Sequence, residues 1–215
     1  MKSKKLKNKK IIGLIYGILT VLLGLGGITI LLSIALFITS LFNPEFEPFF
    51  PVIDVPLNIS EDAVLELKNG SQSDILIDEA FVSFNINNEY GFSGILNYVF
   101  FMSILLIAYY VIFLLWKIFR SIRVSLYNNN PFHYKNIWRI RLIAFAILLS
   151  AILEIIYPLI VKYIWFNKII VFDKAFDIRL NFDASIDLFW ALIILVVAEI
   201  YRIGLEIKKD QELTI

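Results

Sequence analysis

Four apolar stretches, residues 11–42, 95–116, 142–161 and 186–205, decide what this chain can fold into. Each reaches the ~20 residues that a helix needs to cross about 30 Å of hydrocarbon. In a bilayer the backbone must satisfy its own N–H and C=O groups, and a single segment does so only as a helix. The expected fold class is an α-helical integral membrane protein with four transmembrane helices. Of 215 residues, 59% are hydrophobic and 18% charged, so the chain suits a single membrane domain, 1–215, rather than a soluble one.

The first run follows MKSKKLKNKK, which holds six lysines and resembles the start of a secretory signal. Residues 11–42 are far longer than a signal-peptide core, and no small-x-small cleavage pattern closes them. The run is expected to stay as the first span. A wholly helical stretch of that length exceeds the bilayer, so it must tilt, kink or project. Gly24, Gly26 and Gly27 mark a place for a bend or a close helix contact, and Gly13 and Gly17 form a weak GxxxG pattern.

Charge placement orients the bundle. Segment 117–141 carries Lys117, Arg120, Arg123, Lys135, Arg139 and Arg141 and no acid, so it is expected in the cytoplasm with the lysine-rich N-terminus. Segment 43–94 carries ten acids against Lys68 alone and is expected outside. Segment 162–185 faces outward with it, and an even number of spans returns the tail, 206–215, to the cytoplasm. The expected location is a bacterial inner membrane. Trp116 and Trp138 fall near the inner face and Trp165 and Trp190 near the outer one, where such rings prefer the headgroup zone; Trp190 reads equally well as a core aromatic.

The outward segments are patterned. Ile53, Val55, Leu57 and Ile59 alternate with polar residues or proline, and Ala63, Leu65 and Leu67 continue the alternation to an Asn69-Gly70 turn. Ala80, Val82, Phe84 and Ile86 alternate again, as do Phe176, Ile178, Leu180 and Phe182. A lone hairpin is marginal, so strands from both segments are expected to pair in one small extracytoplasmic sheet. The sheet reads either as a cap on the bundle or as a surface for a ligand or partner.

Few residues promise chemistry. The chain has no cysteine and one histidine, His133, which leaves no disulfide framework, thiol nucleophile or His-rich metal site. No cofactor or metal is expected. No GxSxG, HExxH, Walker or GxGxxG motif is present, so the chain reads as a non-enzyme. Glu154 lies within the third apolar run, where an ionised carboxylate facing lipid costs ~2.5 kcal/mol or more. Pro158, four residues on, removes a helical bond to the Glu154 carbonyl. Glu199 and Arg202 are spaced i, i+3 and share a helix face, and Arg139 or Arg141 lies at a depth to reach Glu199. Lys117–Tyr127 extends the second helix with basic residues among apolar ones, an interfacial stretch attracted to anionic lipid rather than to nucleic acid.

Two motifs carry a family resemblance. One is Asn130-Pro131-Phe132-His133-Tyr134-Lys135-Asn136-Ile137-Trp138-Arg139-Ile140-Arg141 before the third span. The other is Ala198-Glu199-Ile200-Tyr201-Arg202-Ile203-Gly204, followed by Asp210-Gln211-Glu212-Leu213-Thr214-Ile215. Together they resemble uncharacterised bacterial four-helix membrane proteins of the YoaS type. Asn136, Arg139 and Arg141 match its entry to the third helix, while His133 and Lys135 stand where its members carry a small hydroxyl and an acid. The resemblance implies a neighbouring Xre-type helix-turn-helix regulator as partner. The functional expectation is a non-enzymatic sensor or regulatory partner of such a regulator. A small transporter, export accessory or immunity-type protein using Glu154 is the alternative, and self-association stays open.

Overall fold

A computed structural model describes the backbone of residues 2–43, 55–66, 72–82, 92–127, 133–165, 169–171, 174–178 and 184–213. Four helices dominate: α1 (Lys2–Phe42), α2 (Phe92–Tyr127), α3 (Tyr134–Trp165) and α4 (Ala184–Leu213). Each contains a span long and apolar enough to cross a membrane, namely Lys10–Phe42, Ile95–Ser125, Tyr134–Ile160 and Ser185–Gln211. All four helices outrun the apolar stretches that announced them. The basic ends of α2 and α3 and the charged end of α4 simply continue the helix.

Three hydroxyl groups of α1 are satisfied by their own helix. Thr20 Oγ1 donates to the Tyr16 carbonyl at 2.8 Å, Thr29 Oγ1 to Leu25 at 3.0 Å and Ser40 Oγ to Phe37 at 2.7 Å. Such back-bonding lets polar residues sit in an apolar helix without an unpaired group. α3 runs through Pro158, and Asp187 in the first turn of α4 opposes the positive end of that helix's dipole.

The chain divides into two compact units: Met1–Leu36 with Met102–Ala151 and Ser185–Ile215, and Phe37–Phe101 with Ile152–Ala184. In the first, Leu114, Ile118 and Ile143 form a core, with Val111, Ile140 and Ile194 packed against it. Ala144 and Ala151 on α3, and Ala191 and Ala198 on α4, are all buried. Each pair is seven residues apart and so lies on one helix face, and a buried methyl group there means that a neighbouring element comes close. The α1 span exposes most of its apolar side chains, Leu14, Ile18, Val21, Ile28 and Leu31 among them, as a lipid-facing helix does.

Gly26 is the glycine of α1 most closely approached, with Gly27 in looser reach of the same Tyr109. A Cβ at Gly26 would lie 2.9 Å from Tyr109 Cδ2, whereas at Gly13, Gly17 and Gly24 it would meet nothing within 4 Å. The close helix contact expected for this glycine cluster is found at Gly26, and α1 stays helical through all three. Trp190 is exposed beside Phe189, which removes the core reading of that residue.

In the second unit, Phe37 and Tyr98 stack with centroids 3.7 Å apart, and Phe100 stacks on Tyr157 at 4.1 Å. The same unit holds extended backbone in β1 (Val55–Glu66), β2 (Gln72–Val82), β3 (Ile169–Val171) and β4 (Lys174–Ile178). These pair antiparallel in the order β2-β1-β4-β3. The alternating stretches on either side of Ser60 belong to one strand, not two, with a register irregularity between Asn58 and Glu61. The Asn69-Gly70 turn and the alternating residues 83–86 and 179–182 lie outside the described residues.

Candidate functional site

Polar side chains gather where α2, α3 and α4 carry their charges, within the first unit. The turn into α3 is set by the backbone: Asn136 N–H donates to the His133 carbonyl at 2.9 Å, and His133 N–H donates to Tyr201 Oη at 3.3 Å. That turn places Asn136, 1% exposed, against α2. Its amide Nδ2 donates to Ser121 Oγ at 3.4 Å, and its Oδ1 accepts from Arg139 Nη1 at 2.9 Å. The same Arg139 nitrogen donates to the Lys117 backbone carbonyl at 3.1 Å. One asparagine and one arginine thus clasp α3 to α2 through four polar groups.

A second arrangement ties α3 to α4. Glu199 offers each carboxylate oxygen to a different guanidinium: Oε2 accepts from Arg141 Nη2 at 2.8 Å, and Oε1 from Arg202 Nε at 2.6 Å. Arg202 Nη1 then donates to Glu206 Oε1 at 3.1 Å, one turn further along α4. The result is a charge ladder, Arg141–Glu199–Arg202–Glu206. Its members are about one-third to three-fifths exposed, so solvent screens them, and the ladder orients helices more than it stabilises them.

Five of the six residues singled out from the sequence therefore meet in two adjoining contacts, Asn136 with Arg139 and Arg141 with Glu199 and Arg202. Of the two arginines within range of Glu199, Arg141 makes the pair. Arg139 turns to a carbonyl and an amide instead. Glu154 belongs to the second unit, half-buried on α3, and has an interaction partner of its own.

Sequence reasoning passed over another polar pair in that unit. Tyr157 Oη donates to Asn97 Oδ1 at 2.7 Å, with both side chains buried. A tyrosine and an asparagine in separate apolar runs were the available signal, since each must find a partner in such surroundings. Nothing in the spacing named the partner. Among the described residues, no three His, Asp or Glu side chains group to hold a metal ion.

Four helices of membrane-crossing length, three of them (α2, α3 and α4) tied together by polar contacts, define a multi-pass membrane protein. The chain belongs to DUF2975, a family of proteins of unknown function, whose model matches residues 80–215. Both polar contacts of the first unit fall within the matched stretch. No curated protein and no solved structure matches the chain.

Proposed function

We propose that this chain is a YoaS-type protein of the bacterial inner membrane that acts, without enzymatic chemistry, as a regulatory partner of a cytoplasmic helix-turn-helix protein. Both termini and segment 117–141 lie in the cytoplasm, and strands β1–β4 form an extracytoplasmic sheet that senses a condition outside. The charge asymmetry between segments 43–94 and 117–141 supports this orientation.

One observation carries the reading. At 30 residues α4 is roughly 45 Å long, well beyond the ~30 Å of hydrocarbon, and its excess is the charged end Glu206–Leu213. The Arg141–Glu199–Arg202–Glu206 ladder holds the base of that extension. Membrane crossing does not require a charged helical projection anchored in this way, and such a projection offers a soluble protein a surface to dock on.

The test is affinity purification in mild detergent from the native cell. The full chain is compared with one ending at Ile207, which keeps Glu206 and the ladder. A small DNA-binding protein retained by the full chain and lost from the shortened one is the expected result. The same soluble partners on both, or none on either, would overturn the regulatory reading.

A further inference from the structure

The basic stretch of α2 is not uniform in what it does. Lys117, Arg120 and Arg123 follow one another at single-turn spacing, and each lies over an aromatic ring. Lys117 Nζ is 4.2 Å from the Phe113 centroid, Arg120 Cζ is 5.3 Å from that of Trp116, and Arg123 Cζ is 5.1 Å from that of Tyr16 on α1. Tyr16 and Trp116 stack with centroids 5.7 Å apart and planes at 26°. Trp116 Nε1 donates to Thr20 Oγ1 at 3.1 Å, fixing the indole against α1. The two arginines thus stand on a built aromatic platform, all of it within the first unit.

Among the described residues neither Arg120 nor Arg123 meets a carboxylate, whereas Arg141 and Arg202 share Glu199. Both are exposed. A ring face holds a guanidinium by its charge and leaves in-plane N–H donors, whose fork matches the oxygens of a phosphate. The platform lies where the second apolar run ends, and a tryptophan there prefers the headgroup layer. The helix that supplies Tyr16 exposes Leu14 and Ile18, apolar surface on which an acyl chain can lie.

We propose that Arg120 and Arg123, on the Tyr16–Trp116 platform between α1 and α2, bind the phosphate of an anionic phospholipid. The site is distinct from the partner-docking end of α4 and does not depend on it. Phosphate supplies the acceptor oxygens, the rings cover the glycerol region, and the lipid seals the α1–α2 contact from outside.

The test reads Trp116 fluorescence in the full chain with Trp138→Phe, Trp165→Phe and Trp190→Phe, reconstituted in phosphatidylcholine. Brominated phosphatidylglycerol or brominated phosphatidylcholine is added as quencher at matched mole fraction. The anionic lipid is expected to quench at roughly 25-fold lower mole fraction, each arginine accounting for about a fivefold preference, and R120Q with R123Q should bring the two lipids level. Lys208→Gln with Lys209→Gln should leave the preference intact. Equal quenching by both lipids in the parent chain overturns the proposal without any arginine variant, so it does not hang on that variant's folding. A preference that survives R120Q with R123Q also overturns it. Relief of quenching by excess inorganic phosphate would assign the site to a soluble phosphate compound rather than to lipid.

Discussion

Asn136 shows how much a single side chain settles here. It is buried, uses both ends of its amide, and steadies an arginine whose other bond goes to a backbone carbonyl. Asn136→Ala removes two hydrogen bonds, one of them to a charged donor. Interhelical bonds in membrane bundles average only about 0.6 kcal/mol, but a charged group deprived of a partner costs more. A loss of about 1–3 kcal/mol is expected, read as a lower midpoint in detergent-titrated unfolding of the purified chain. Arg139→Gln should cost a similar amount, and the double variant distinctly less than the sum, because each single change already breaks the shared bond. Full additivity would show that the clasp is not a unit. The sequence exposed half of this arrangement. Glu199 and Arg202 were legible as a pair because i, i+3 spacing on a helix is local. The choice of Arg141 over Arg139 was not legible, since it turns on the rotation of α3 against its neighbours. The Lys117 carbonyl that takes Arg139 has no side-chain identity to read at all.

At the level of elements, apolar length foretold four helices, yet it underestimated every one. Hydropathy marks the part of a helix that lipid demands, while the backbone hydrogen-bond ladder continues for as long as no residue breaks it. The glycines of α1 carry the sharper lesson. Among the described residues a Cβ at Gly13 or Gly17 would meet nothing within 4 Å, whereas at Gly26 Tyr109 occupies the space that a side chain would need. A pattern of small residues states that close approach is allowed; only a large partner opposite states that it occurs. Gly26→Ala should therefore lower the unfolding midpoint, since its Cβ would arrive 2.9 Å from the Tyr109 ring, while Gly24→Ala should not lower it. Combining Gly26→Ala with Tyr109→Leu should return most of the loss. Equal behaviour of the two glycines would mean that helix propensity, not packing against α2, sets the cost.

For the whole molecule, the decisive quantity is which charged segment faces which side. Period-2 patterning in segment 43–94 read as separate alternating stretches on either side of Ser60, where a single strand runs through with a shifted register. Alternation alone does not reveal an inserted residue, because the hydrophobic parity on either side of Ser60 is unchanged. Orientation is a matter of charge, and here the chain offers a clean experiment, because it contains no cysteine. Cysteines introduced singly as Ser3→Cys, Ser73→Cys, Asn129→Cys and Gln211→Cys report one segment each, with no background thiol to remove. A membrane-impermeant maleimide applied to intact cells should label the Ser73→Cys chain at once and the other three only after the membrane is opened. Moving lysine-rich ends across a bilayer is opposed where positive charge is retained inside, whereas the ten acids of segment 43–94 against Lys68 alone meet no such barrier. Labelling of Ser3→Cys and Gln211→Cys in intact cells, with Ser73→Cys protected, would invert the molecule. It would also put the charged end of α4 beyond the reach of any cytoplasmic regulator. Labelling at Gln211→Cys but not Ser3→Cys would mean an odd number of crossings, and one of the four helices would then lie along the membrane or against the bundle instead of through it.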